Sequence, residues 1–335
     1  MSATVQLPTR PPRQFLPESL TITTWDQLKP YFDDLLFRPL HTQADLRRWF
    51  EDRSEIEAVL SEDLGWRYVR MTCYTENAEY GKAYQDFVQN IQPELSPVAD
   101  QLNRRAVEHP LIGELSNEAG FDIMIRNMRK DMEIFREANI PLFTEINTET
   151  QQYAQISGAM TITREGQELT LQQAGVLLMS PDRNLRESVY RQTAERRLAD
   201  KDKLDQLFSK LIQLRHQVAV NAGFSNFRDY QFRAYGRFDY TPDDCRRFHE
   251  SIEAEVVPIL NQLAAERAKK LQLSKLRPWD KAVDADGLPA LKAFDGGRDL
   301  TEKAITTFHQ LDPWLGECLT IMREMGHLDL ESRKG

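Results

Sequence analysis

Apolar residues recur along this chain at the three-and-four spacing of a helix, behind residues suited to cap a helix start, and this pattern limits the fold more than any other feature. Thr42-x-x-Asp45 opens a stripe of Leu46, Trp49, Phe50, Ile56 and Leu60. Tyr80, Tyr84, Phe87, Val88 and Ile91 form a second stripe, which Pro93 and Pro97 are expected to end or kink. Met124, Met128, Met132 and Phe135 form a third, closed by Pro141. Ser180-Pro181-Asp182 supplies a cap, a first-turn proline and an acid at another start. Residues 201–222 carry Leu204, Leu207, Phe208, Leu211, Val218 and Ala222 on one face, with Gly223 as the stop. Thr241-Pro242-Asp243-Asp244 begins a long helix through Phe248, Ile252, Val256, Ile259 and Leu263, bent at Pro258, and a last helix occupies roughly 299–325. Rows of aromatic and methionine side chains can line a groove; at this spacing they read as ordinary core.

The texture changes once. Residues 153–163 are rich in strand formers, and Arg164-Glu165-Gly166-Gln167 reads as a turn into Glu168-Leu169-Thr170-Leu171. The expected fold class is therefore mostly α, with one small β-hairpin near 153–171. The expected organisation is an extended or disordered arm over 1–19, an N-terminal helical domain over 20–150, and a hairpin plus helical region over 151–335. Residues 274–297 read as a loop around Pro278-Trp279-Asp280. No fixed-period repeat runs through the chain.

Composition narrows the partners. Lys and Arg number 43 against 52 Asp and Glu, a formal net charge of −9, which argues against nucleic acid as a partner. No apolar stretch suits a signal peptide or a membrane span. Cys73, Cys245 and Cys318 are too few and too scattered for a disulfide framework or a CxxC zinc knuckle. A cytoplasmic protein is the expectation.

Tests for chemistry mostly fail. The six histidines are His41, His109, His216, His249, His309 and His327, and the closest two lie 18 residues apart. A helical zinc site needs two at i, i+4. His249-Glu250-Ser251-Ile252-Glu253 comes nearest, with a carboxylate in place of the second imidazole. The acidic loop Asp280-Lys281-Ala282-Val283-Asp284-Ala285-Asp286-Gly287 is no EF-hand, because Ala282 and Ala293 would occupy the first and twelfth positions. Cys245 and His249 share a helix face without any oxyanion site to serve them, and read as a packed thiol and a solvent-facing or salt-bridged imidazole. There is no GxGxxG, Walker loop or GxSxG elbow. No catalytic residue and no metal ligand is assigned within the chain.

One run stands apart: Phe232-Arg233-Ala234-Tyr235-Gly236-Arg237-Phe238-Asp239-Tyr240-Thr241-Pro242-Asp243-Asp244. It is preceded by Tyr153-x-x-Ile156-x-Gly158-x-Met160, by Asp182-Arg183-x-x-Arg186-Glu187 and by Ala222-Gly223-Phe224-Ser225-Asn226-Phe227-Arg228-Asp229-Tyr230. Pro278-Trp279-Asp280 and Leu328-Asp329-Leu330-Glu331-Ser332-Arg333-Lys334-Gly335 follow it. In this order the pieces resemble the zinc metallo-oligopeptidases of the thimet oligopeptidase and oligoendopeptidase F family, most closely the bacterial oligoendopeptidase F branch. The resemblance covers about half the chain, and residues 1–150 fit it only in being helical and in length.

The resemblance implies two helical lobes flanking a channel that admits short peptides. It also implies an H-E-x-x-H helix and a downstream glutamate holding zinc, whose bound water attacks the scissile carbonyl. None of those residues is present here, so the resemblance implies a chain cut before the zinc-binding catalytic part and inactive alone. Zinc belongs to the full-length family, with no cofactor in this chain. Tyr235, Arg237 and Asp239 are candidates for a channel wall or inter-lobe contact; the plainer reading is a Gly-centred connection between helices. The expected partners are short peptides when the catalytic lobe is present, and copies of the chain through an exposed inter-lobe surface. A stand-alone helical peptide- or protein-binding module is the alternative, and a metal held by His216, His249 or His309 is a third reading.

Overall fold

A computed structural model describes residues 6–115 and 117–330; the first five residues of the expected arm and the last five of the closing run lie outside the described residues. In chain order the helices α1 (Lys29–Phe37), α2 (Gln43–Cys73), α3 (Ala78–Asp86), α4 (Gln92–Val107), α5 (Ile112–Leu115), α6 (Phe121–Ile134) and α7 (Ile140–Gly158) come first. A hairpin of β1 (Thr161–Arg164) and β2 (Gln167–Thr170) follows. The chain continues with α8 (Leu171–Val176), α9 (Arg183–Ala199), α10 (Lys201–Asn221), α11 (Phe227–Ala234), α12 (Pro242–Ser251), α13 (Val257–Lys270), α14 (Gly296–Leu311) and α15 (Pro313–Glu324). The fold is mostly α with one small antiparallel hairpin. Residues 12–157 and 201–256 form a larger compact unit, and residues 158–200 and 257–330, with residues 6–11, form a smaller one.

In the larger unit, α2 begins where the sequence places it. The Thr42 hydroxyl accepts the Asp45 N–H at 3.1 Å, and the Asp45 carboxylate accepts the Thr42 N–H at 2.8 Å. Such a reciprocal cap stabilises a helix by about 1 kcal/mol. The stripe behind it goes into the core, where Leu46, Trp49 and Ile56 join Leu28, Leu35, Phe87 and Leu102. The Trp49 indole N–H donates to the Leu35 carbonyl at 2.7 Å, so this large ring is buried without an orphaned donor. The inner end of the expected arm is fastened. Glu55 accepts the N–H groups of Gln14, Phe15 and Leu16 at 2.7, 3.0 and 2.7 Å, and Leu16 enters the core.

In the smaller unit, Glu165 and Gly166 both take positive φ (51° and 80°), as a two-residue hairpin loop requires. β1 pairs with β2 from Thr161 opposite Thr170 to Arg164 opposite Gln167. Ile162 of the hairpin packs with Ala174 and Val189.

Several boundaries differ from the sequence reading. Residues 153–158, expected as strand, are the last turns of α7, because Pro141 sits in its first turn and opens this helix; extending a nucleated helix is cheap. Pro93 neither ends its helix nor stands alone as a kink. The π turn Phe87–Ile91 precedes it, with the Gln92 N–H donating to the Phe87 carbonyl, and the chain runs on through Pro97 inside α4. Pro258 follows the π turn Ile252–Val256 at the same spacing. Asp182, not Ser180, caps α9, accepting the Asn184 and Leu185 N–H groups at 2.9 and 3.3 Å. The expected last helix is two. Asp312, held extended before Pro313, ends α14 and caps α15.

Candidate functional site

The residues singled out at Tyr235, Arg237 and Asp239 lie where α11 leaves its last turn in the larger unit. Asn226 caps this helix by accepting the Asp229 N–H at 2.9 Å. Gly236 takes φ +64°, and a Cβ there would stand 3.1 Å from Asn127 Oδ1 and 3.3 Å from the Phe238 ring. Arg237 lies 5.0 Å from the Tyr235 ring and 5.1 Å from that of Phe232. Phe238 is flanked by the guanidinium groups of Arg126 at 4.3 Å and Arg233 at 5.1 Å. Asp239 reaches Arg126 at 3.6 Å, and Lys130 Nζ donates to the Ala234 carbonyl at 3.1 Å. The three residues are thus not gathered on one ligand-sized spot. Tyr235 and Arg237 stack together with Tyr235 exposed, and Asp239 pairs with α6.

In the smaller unit the structure joins two motifs that stand almost a hundred residues apart. Arg183 Nε and Nη2 each donate to an Asp280 oxygen at 3.0 Å, and Arg186 Nη2 donates to Oδ1 at 3.0 Å. The Arg277 N–H gives a further bond at 2.9 Å. Arg186 also donates to the carbonyls of Trp279, Ser180 and Pro181 at 2.9, 2.9 and 3.0 Å. Asp280 is 0% exposed and Arg186 is 3% exposed. Arg183's bonds, then the Arg277 N–H and Arg186, outweigh burial and hold the Asp280 carboxyl down at about 2. Trp279 lies between Arg191 at 5.4 Å and Arg183 at 5.9 Å, beside Tyr190. Every charge here is answered, which makes the cluster a clamp between the start of α9 and the 278–280 turn.

A cleft of about 270 Å³ opens in the larger unit. α4 supplies Ser96, Ala99, Asp100 and Asn103, and α6 supplies Asp131 and Ile134. Phe135, Arg136, Ile140, Phe143 and Tyr230 complete the lining. Asp100 is paired with Arg104 at 2.7 Å. Arg136 donates to the carbonyls of Glu133 at 3.0 Å, Phe135 at 2.6 Å and Ala222 at 3.3 Å. Burial, reinforced by the charge of Asp131, pushes the Tyr230 hydroxyl above its ordinary pKa, so it stays protonated. The sequence reading did not single out this site. A carboxylate and an amide at i, i+3 among the apolar residues of α4 were the available signal.

Among the described residues no three or more His, Cys, Asp or Glu side chains converge on a point where a metal ion could be held. His216, His249 and His309 therefore do not fit a zinc centre, and no step of zinc chemistry is assigned to them.

The architecture defines a class. It is the fold of the oligoendopeptidase F proteins, matched over 93% of this chain by a crystal structure of an oligoendopeptidase F (TM-score 0.87, 22% identity, 55% of that chain). An oligoendopeptidase F from Bacillus anthracis matches 95% of this chain and 58% of its own (TM-score 0.88, 19% identity). PZ peptidase A, solved with an inhibitor, matches 92% and 55% (TM-score 0.87, 22% identity). The model of the Peptidase M3 N-terminal domain matches residues 15–135, and that of Peptidase family M3 matches residues 176–285; the chain belongs to peptidase family M3. It spans a little over half the length of these solved relatives. No curated protein matches it.

Proposed function

We propose that the chain is the N-terminal, scaffold portion of an M3-type zinc oligoendopeptidase that hydrolyses short peptides. The observation that carries this reading is the two family domains in order on a fold that covers 93% of this chain and 55% of its solved counterpart. The 335 residues contain no H-E-x-x-H, so on this reading the zinc ligands and the general base come from sequence outside them. A cytoplasmic location is part of the proposal, supported by a cysteine content of only three residues, far apart in sequence. Tyr235, exposed beside Arg237, is proposed to face the peptide channel or the catalytic lobe.

The exposed apolar residues favour this reading over a stand-alone binding module. Ile259, Leu260 and Leu263 of α13, Leu311 at the end of α14 and Trp314 of α15 are all more than half exposed. A surface of that kind is normally covered. On light scattering the isolated chain is expected to self-associate, whereas a clean monomer supports the module. The direct assay is cleavage of an internally quenched peptide by the purified chain with added zinc. No chelator-sensitive cleavage is expected; robust chelator-sensitive turnover overturns the proposal.

A further inference from the structure

The turn that leaves α11 carries a positive charge that no other residue answers. Across residues 226–247, Arg228 pairs with Asp229 at 2.8 Å, Asp243 with Arg246 at 2.9 Å, and Asp244 with Arg247. Arg233 pairs with Glu133 of α6, and Asp239 with Arg126 of α6 at 3.6 Å. Arg237 is exposed, and among the described residues no carboxylate or carbonyl accepts from its guanidinium. One unpaired cation is thus left in a segment whose other charges are matched. A solvated arginine is ordinary, so what matters is how this one is held.

Its guanidinium lies over three rings, Tyr235 at 5.0 Å, Phe232 at 5.1 Å and Tyr240 at 6.0 Å, and the Phe232 and Tyr240 rings meet edge to face at 5.3 Å. Ring contact engages the π face of a guanidinium and leaves the N–H fork at its edge free to donate. The backbone beneath is fixed by the tight approach of Gly236 to Asn127 and by Lys130 on the Ala234 carbonyl. The same turn shows what such a group takes. Arg126 and Arg233 both lie over the Phe238 ring, and each pairs with a carboxylate, Asp239 and Glu133. Arg237 has the rings without the carboxylate. A side chain held in place beforehand loses less entropy on binding. Tyr235 and Tyr240, 65% and 45% exposed, offer ring surface beside it for an apolar neighbour of the incoming carboxylate. One guanidinium balances one carboxylate, whereas a phosphate of about −2 charge would stay half uncompensated among these acids.

We propose that Arg237 binds the C-terminal carboxylate of a short peptide, whose last side chain packs on Tyr235 and Tyr240. The choice of a peptide rests on the peptidase reading, while the site itself uses only residues of the larger unit. Failure of this proposal leaves that reading standing, because it is read by chelator-sensitive cleavage and this one by binding to the chain alone.

The test is titration of the full chain by ligand-observed NMR with N-acetyl-Gly-Phe, its C-terminal amide, and N-acetyl-Glu-Phe-amide. The free acid is expected to saturate the chain at about millimolar concentration, and its amide to bind about tenfold more weakly, the loss of one charge-assisted pair. Arg237→Gln is expected to bind acid and amide alike. Arg237→Lys keeps the charge but not the fork, and its preference for the acid is expected to fall between the two. Both variants should keep the circular dichroism of the original chain, since the side chain is exposed. If Arg237→Gln fails to fold, Arg237→Lys decides, and an undiminished preference for the acid in it overturns the proposal. Binding of N-acetyl-Glu-Phe-amide as tight as that of the free acid assigns the contact to an acidic side chain and overturns the C-terminal assignment. Absence of saturable binding up to about 10 mM also overturns the proposal, as does a preference for the acid that Arg237→Gln leaves unchanged.

Discussion

The Asp280 clamp and the Asn103 cleft both hold polar side chains, one as a closed ion-pair cluster and the other along an open wall. Around Asp280 the charged groups are matched within the protein, two arginines on one carboxylate, an N–H beside them and Arg186 filled by three carbonyls, while the Trp279 indole N–H is buried without a partner. In the cleft, Asn103 Oδ1 accepts from Arg53, Asp100 pairs with Arg104, and the Tyr230 side chain forms part of the wall. A closed cluster of ion pairs acts on the fold, whereas the lining of an open cleft stays within reach of solvent.

The contrast can be broken in four ways, from the largest effect downward. Asp280→Ala leaves Arg186 buried without its counter-charge and is expected to lower stability by about 3–5 kcal/mol in urea denaturation; a loss under about 1 kcal/mol would mean the clamp is ornamental. Acid should act on the same group. Its folded pKa of about 2 lies below the value near 3.8 expected of an unperturbed aspartate, so its stabilising contribution is present above about pH 4 and is lost as pH falls toward 2. The Asp280→Ala chain should lack that part of the acid response in urea midpoints taken against pH. Asn103→Leu removes the partner of Arg53 and is expected to cost about 1–3 kcal/mol. Tyr230→Phe removes a single hydroxyl at the cleft wall, so its thermal midpoint should shift by no more than about 0.5 kcal/mol allows. A large loss there would show a hidden structural role and put the cleft with the clamp.

Much of the fold was legible because its signals are local. The Thr42 and Thr241 capping boxes, the Leu46–Leu60 stripe and the Glu165-Gly166 turn each depend on residues within a few positions. Where local signals compete, the reading slipped: strand formers at 153–158 yielded to a helix already under way, and a proline in the middle of a pattern was absorbed at Pro93 by a π turn. Pro313 carries its own local signal, since the residue before a proline resists helix and Asp312 is extended. The sites depend on long-range pairing. Asp182-Arg183-x-x-Arg186 and Pro278-Trp279-Asp280 were both noticed as motifs, yet nothing in either says that they meet. The cleft draws on α4, α6, α7 and α11, and Asn103 reads as one polar residue on a helix until Arg53 is seen to hold its oxygen.

The proposal that this chain is the scaffold portion of an M3 oligoendopeptidase can be tested directly. The most direct measurement joins the chain in one polypeptide to an H-E-x-x-H-bearing catalytic region of an M3 oligoendopeptidase and follows cleavage of a quenched peptide beside each part alone. The account predicts chelator-sensitive cleavage by the joined protein and none by the chain alone. Cleavage by the catalytic region that the joined chain does not enhance, or cleavage by the chain alone, would contradict it.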